Sequence, residues 1–261
     1  MKLTTVLSAV NNNPAYYKFI PKQILFWNKF GIRFVVVFVG ETIPDELISY
    51  RANIVHWNKN LDLNTAFVGQ NMRLYYPALL TLPEDEMVMI TDMDMLPMKE
   101  TYFTSKLESY TKKDFVYYRY IDGDQIYIMY NAAHPTTWSA VFDITSAADI
   151  ERRINDTYKV QYDGVPGSVG WYTDQEILYK HLVKYPHLRV LNRPIKRLEI
   201  SMYKQHLLKG DSHFVHEYDD CHFHRDFTGN LKYIQDAERQ LIKSNVSTGS
   251  PALPWKSVMR K

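Results

Sequence analysis

Cysteine is almost missing from this chain: Cys221 is the only one in 261 residues. A single thiol allows no intrachain disulfide and no cysteine-rich zinc site, so the chain makes no use of an oxidising compartment. Charge of one sign is missing too. With 31 basic against 29 acidic residues and a net charge of +2 at pH 7, no electrostatic footprint asks for nucleic acid, and none is expected as a partner. Long hydrophobic runs are also lacking. The strongest, Phe34 to Val39, is far below the ~20 residues that cross a bilayer, and the first seven residues lack the apolar core of a signal peptide, so no membrane span is expected. Glycine and proline, ten and twelve residues, are scattered without a low-complexity tract, which sets the chain apart from disordered and fibrous classes.

What is present is a globular composition, 46% hydrophobic and 14% aromatic. Such aromatic content suits either a densely packed core or a carbohydrate-facing groove, and composition does not separate the two. The length fits one domain, expected over residues 1–243, with a flexible Ser/Gly/Pro/Lys-rich tail over 244–261. The expected fold class is α/β, a Rossmann-like mixed sheet flanked by helices. Strands are predicted at Leu3 to Val10, Arg33 to Val39 and Asn53 to Trp57. Helices are predicted between them, over Ala15 to Lys29, behind Asn13 and Pro14, and near Pro44 to Tyr50. This alternation builds a parallel sheet with right-handed crossovers. A longer helix, Leu63 to Leu80, leads to a fourth strand from Met87. The second half changes character: Asp114 to Tyr120 and Gln125 to Tyr130 read as a hairpin closed by Asp122-Gly123, bringing antiparallel pairing into the sheet. Helices are predicted over Pro135 to Phe142, Ser146 to Thr157, Thr173 to Val183 and Leu231 to Ile242, and short strands at Leu188 to Leu191 and His213 to His216.

The fourth strand ends in Thr91-Asp92-Met93-Asp94-Met95-Leu96-Pro97. If the segment stays extended, Asp92 and Asp94 project to one side. Carboxylates behind a buried strand cost stability without a cation or hydrogen-bond donors, and hard divalent ions prefer oxygen ligands. The alternative is that they only cap the next segment. In open α/β sheets ligands bind beyond the carboxyl ends of the strands, where this pair falls. The same spacing in Asp122-Gly123-Asp124 reads as turn chemistry, so it is the preceding strand that separates the two.

That acidic strand end, preceded by a helix with Gln70, Arg73 and Tyr76-Pro77, resembles the metal-dependent nucleotide-sugar glycosyltransferases of the A-type fold, especially small single-domain viral and bacterial members. The resemblance runs from about Thr4 to Phe227. It implies that Asp94 ligates Mn²⁺ or Mg²⁺, while Asp92 meets the ribose or the metal through water. It places Ala9, Asn11 and Asn12 around the nucleotide base, and Arg73, Asp92 and Met93 beside the donor. Asn131 and Ala132 would line the sugar pocket, although Tyr130-Asn131-Ala132 is equally readable as the approach to a helix cap. Arg73 is also readable as a surface salt-bridging residue. Asp174, in Gly170-Trp171-Tyr172-Thr173-Asp174-Gln175-Glu176, would be the general base of an inverting displacement. A capping box from Thr173 to Glu176 is sufficient structurally on its own. Trp171 and Tyr172 would offer a stacking face to a sugar ring or pack in the core. A third metal ligand is expected from a late histidine: His216 first, with His213 and His224 as fallbacks.

The function this implies is transfer of a sugar from a nucleoside diphosphate, of UDP, GDP or dTDP type, to a hydroxyl of a glycan acceptor, in the cytoplasm (that of the host for a viral protein). Two alternatives stand beside it. A sugar-phosphate nucleotidyltransferase would need a Gly-rich phosphate loop where Asn11-Asn12-Asn13-Pro14 stands. A calcium-dependent carbohydrate-binding module would need six to eight oxygens, and two aspartates make a poor cage.

Overall fold

The structure, a computed structural model, describes residues 1–158, 161–165, 167–211 and 213–243, so the predicted tail lies outside the described residues. The chain opens with β1 (Lys2–Asn11), a strand buried along most of its length. Asn13 caps α1 (Pro14–Tyr17), its side chain accepting from the Ala15 N–H at 3.0 Å, and α2 (Ile20–Lys29) follows. The single helix predicted here is therefore two. Pro21 sits in the first turn of α2, the one part of a helix where a residue without an N–H is tolerated, so the chain restarts there.

The second strand, β2 (Arg33–Val39), has the bounds its β-branched run predicts. A 3₁₀ segment, Asp45–Asn53, replaces the predicted helix before β3 (Ile54–Trp57). Asn64 caps α3 (Thr65–Tyr75), whose end tightens into a 3₁₀ turn, Tyr76–Leu79, around Pro77. Next come β4 (Glu86–Ile90), β5 (Met95–Pro97), α4 (Glu100–Thr104), β6 (Phe115–Tyr117) and β7 (Asn131–Ala133). Three helices, α5 (Pro135–Phe142), α6 (Ala147–Thr157) and α7 (Thr173–Leu182), lead to β8 (Leu188–Val190). The chain then forms β9 (Arg197–Glu199), α8 (Ile200–Leu208), β10 (Asp220–His222) and α9 (Phe227–Lys243).

Seven strands form the central sheet in the order β3-β2-β1-β4-β7-β6-β8. The first four are parallel and β7 enters antiparallel to β4, so the mixed sheet expected from the sequence is present. Each face carries its own core. On β2, Phe34, Val36 and Phe38 pack into one, while Val35, Val37 and Val39 pack into the other. That is why the run is apolar at every position rather than alternating. A second sheet, β5-β10-β9, stands beside the first. Among the described residues no helix is long and apolar enough to cross a membrane.

Two predicted strands differ. The turn at Asp122-Gly123 forms, with Gly123 at φ +59° and a bridge from Asp122 to Gln125, but Gln125 to Tyr130 is not a strand. Tyr130 adopts φ +65°, and that left-handed step delays pairing until Asn131. His213 to His216 is not a strand either. Phe214 and Val215 are both buried, which breaks the period of two, and Val215–Glu217 is a 3₁₀ turn.

Candidate active site

The acidic pair lies where the chain leaves the main sheet. Thr91 continues the pairing by one residue, donating to the Leu7 carbonyl at 3.1 Å. Residues 92–94 then turn, and β5 joins the second sheet. Gln23, fully buried on α2, fixes this turn: its Nε2 donates to the Met93 carbonyl at 2.7 Å and to that of Met95 at 2.8 Å. Trp27 Nε1 in turn donates to Gln23 Oε1 at 2.9 Å. Because the segment turns instead of extending, the two carboxylates take different partners.

Asp92 pairs with Arg73 of α3, whose other nitrogen, Nη2, donates to Asp174 Oδ2 at 2.7 Å. Asp174 Oδ1 accepts from Gln70 Nε2 and from the Gln175 N–H, both at 2.9 Å. Arg73 thus bridges two acids brought together from β4 and α7. Burial pushes the Asp92 carboxyl above its ordinary range despite the guanidinium beside it. Asp94 turns the other way, its Oδ2 3.5 Å from His222 Nε2 at the end of β10. Burial pushes Asp94 up, but His222, a backbone N–H and the Arg225 guanidinium together hold the carboxyl below its ordinary value. Reciprocally, burial lowers the His222 imidazole, while Asp94 and Glu199 carry it above its usual value. His222 Nδ1 meets Glu199 Oε2 at 3.1 Å.

Gln70, Arg73, Asp92, Asp94 and His222 border a cleft of about 520 Å³, which opens beyond the carboxyl ends of β1 and β4. At Gly69 α3 lies against the end of β1: a Cβ there would be in ordinary contact, 3.5 Å from the Val10 carbonyl carbon, and a longer side chain would not fit. Tyr16, Trp171 and Arg225 close the far side, with the Arg225 guanidinium 4.5 Å above the Trp171 ring. One face of the indole is therefore covered by a cation. On the α3 side, Gln70 Oε1 and Arg73 Nε are buried without a hydrogen-bond partner among the described residues.

Of the sequence-predicted residues, Ala9, Asn11, Arg73, Asp92, Met93 and Asp94 border the cleft together. Asn12 is exposed beside it. Asn131 and Ala132 are buried inside the central sheet, where the Asn131 amide donates to the Tyr127 and Ile128 carbonyls at 2.8 and 2.9 Å. Asp174 is fully buried under Arg73 and Gln70 rather than facing an acceptor. His216 sits in the 3₁₀ turn against Gln240 of α9, off the cleft. The histidine beside Asp94 is His222, which the expectation of a strand at 213–216 displaced. Of the fallbacks, His224 lines the cleft and His213 does not. Gln23 and Glu199 were not expected. The only signal in the sequence is that Asp220 and His222, two apart around the buried Cys221, fall on one face of a short strand.

No family model and no curated protein matches the chain. Among solved structures, the glycosyltransferase GlyE of Streptococcus pneumoniae TIGR4 aligns with a TM-score of 0.47 and 14% identity, over 97% of this chain and 67% of that one. The galactosyltransferase LgtC, in complex with donor and acceptor sugar analogs, aligns with a TM-score of 0.45 and 12% identity, over 90% of this chain and 96% of LgtC. A glycosyltransferase involved in the glycosylation of the major capsid of PBCV-1 aligns at 0.47 and 12%, over 91% of this chain and 100% of that one. These three solved structures are glycosyltransferases.

Proposed function

We propose that this protein is a metal-dependent glycosyltransferase that moves a sugar from a nucleoside-diphosphate sugar, of UDP, GDP or dTDP type, to a hydroxyl of a glycan acceptor. The observation that carries this reading is the approach of Asp94 Oδ2 to His222 Nε2, 3.5 Å apart at the edge of the cleft. A carboxylate oxygen and an imidazole nitrogen converging from two elements suit Mn²⁺ or Mg²⁺, with the diphosphate and water completing the shell. Glu199 supports this fit. In the tautomer that donates Nδ1–H to Glu199, Nε2 is the lone-pair nitrogen, the arrangement in which ligating histidines are usually held. When bound, such an ion would offset the charge that builds on the leaving diphosphate.

The chain's own residues supply the rest. Gln23 fixes the turn that aims Asp94, and the close approach of α3 to β1 leaves room beside Ala9 and Asn11 for a base and ribose. Arg73 faces the cleft as a cation held in place from both sides, suited to a phosphate or a donor-sugar hydroxyl. To act as the general base of an inverting displacement, Asp174 would have to shed Arg73, Gln70 and its own helix N–H. Its role is therefore to anchor Arg73.

A donor-hydrolysis screen tests this: purified protein with Mn²⁺ is offered a panel of nucleotide sugars, and the released nucleoside diphosphate is measured. One donor class should be hydrolysed, with the signal lost on chelation and in Asp94→Asn. If no donor is hydrolysed and calorimetry finds no Mn²⁺-dependent binding of any nucleoside diphosphate, the proposal is wrong.

A further inference from the structure

Glu199, His222 and His224 converge at one edge of the cleft. Glu199 and His222 end neighbouring strands and are partners in the register of β9 and β10. His224 follows two residues later with φ +51°, a left-handed backbone uncommon for a residue with a Cβ, and its ring centroid comes within 4.0 Å of that of His222. Glu199 Oε2 lies 3.1 Å from His222 Nδ1 and 3.2 Å from His224 Nε2. Among the described residues, this is the one trio of His, Cys, Asp or Glu side chains whose ligand atoms all lie within 4.8 Å of one another.

Two imidazole nitrogens and one carboxylate oxygen form a common donor set of zinc sites that keep an open position. With bonds of about 2.0–2.2 Å, neighbouring ligands of a tetrahedral ion stand roughly 3.3 Å apart, close to the two separations from Glu199. His224 is exposed and His222 half-buried, so an ion reaches the trio from solvent. We propose that Glu199, His222 Nδ1 and His224 Nε2 form a Zn²⁺ site distinct from the Asp94 position. On binding, the protons in the two Glu199–imidazole contacts leave those atoms, either for water or for the opposite ring nitrogen.

This site shares His222 with Asp94, and the sharing has a chemical consequence, which rests on the function proposed above. A neutral imidazole has one lone-pair nitrogen. With Nδ1 on zinc, Nε2 keeps its proton and points it at Asp94 as a donor, so it cannot ligate a second cation. With Nδ1–H on Glu199, Nε2 is free. Zinc at the trio therefore withdraws His222 from the Asp94 site, and the ring acts as a two-position selector between ions.

The test uses the full-length protein, stripped of metal with a chelator and exchanged into buffer. Calorimetric titration with Zn²⁺ should show one equivalent bound by the wild type and by Asp94→Asn, and loss of that binding in Glu199→Gln and in His224→Asn. Asparagine tolerates the left-handed backbone at 224, and unchanged circular dichroism and thermal midpoint confirm folding of each variant. Paramagnetic resonance then reads free Mn²⁺: one equivalent of Zn²⁺ should release more Mn²⁺ from the wild type than from His224→Asn, where zinc competes only at the Asp94 position. The site is overturned if the wild type binds no Zn²⁺, or if binding is lost in Asp94→Asn and kept in His224→Asn. Zinc bound at the trio with Mn²⁺ undisturbed would overturn the sharing of His222. Failure of the donor-hydrolysis screen leaves the zinc titration unaffected, so the two readings fail separately.

Discussion

Replacing Arg73 with methionine removes the cation between Asp92 and Asp174 while keeping most of the side-chain volume. Asp174 is fully buried, and Arg73 and Asp92 expose 16% and 18% of their side chains, so solvent screens this cluster little. Removing one partner of a buried ion pair costs about 3–5 kcal/mol, because it strands a charge away from water. Against a total stability of about 5–15 kcal/mol this is a large share. At about 2–4 °C per kcal/mol for a chain of this size, the melting temperature falls by roughly 6–20 °C.

The deficit also depends on pH in a defined sense. Burial already raises the Asp92 carboxyl above its unfolded value with Arg73 in place, and without Arg73 it rises further. Between the unfolded and folded values the native state holds more protons than the unfolded one, so stability falls as pH rises through the folded value. The penalty in Arg73→Met is thus larger at pH 7 than at pH 5 and shrinks as the solution is acidified. Arg73→Lys keeps a charge but loses the fork that reaches both acids, and falls between the two. Urea unfolding at pH 7 and pH 5 measures these differences. A wild-type midpoint for Arg73→Met at pH 7, or a deficit equal at both pH values, would refute the reasoning.

Two further outcomes concern stability alone. Burial lowers the Lys29 ammonium to about 8, and its Nζ has no hydrogen-bond partner among the described residues. The unfolded chain therefore holds more protons between that value and the ordinary lysine value of about 10.4, so wild-type stability rises with pH across this window. Lys29→Met should be more stable at pH 7 and lack the alkaline rise, as denaturant midpoints at pH 7 and pH 10 will show. At Gly69 an added Cβ meets the Val10 and Asn11 backbone at ordinary contact distances of 3.5–3.7 Å. Gly69→Ala should be neutral, or stabilising by up to about 1 kcal/mol through helix propensity, whereas Gly69→Leu should lower the melting temperature by separating α3 from β1.

The sequence reading succeeded where one physical signal was strong and local. The run Arg33–Val39 gave a strand with its bounds, and Pro135–Phe142 a helix with its bounds, because dense β-branching and an N-terminal proline act over a few residues. The second sheet was not legible. Its strands, Met95–Pro97, Arg197–Glu199 and Asp220–His222, have three residues each and are too short to show a period. The same gap separates the two histidines: the pattern points to His216 on a strand that does not form, whereas His222 lies on a three-residue strand with no period to reveal it. Asp92, Asp94 and Arg73 were legible as cleft residues because they follow from one strand end and one helix face. Asp174 was placed at the correct helix start, but its burial depends on Gln70 and Arg73, partners 104 and 101 residues away, which no local pattern carries.

The pairing of β5 with β10 also bears on how the cleft comes into being. Met95 and His222 face each other across these strands, so the turn carrying Asp94 is closed by a segment synthesised far later. The parallel strands β1 to β4 can associate while the chain is still growing, but the Asp94–His222 pair cannot form until β10 has docked. Contacts of such long range are slow to form, since the entropy of closing the loop is lost before any contact rewards it. The cation site proposed at Asp94 should therefore be among the last features the chain completes as it folds. A nascent chain stopped before Glu199 would carry all seven strands of the central sheet and both aspartates while lacking the imidazole opposite Asp94.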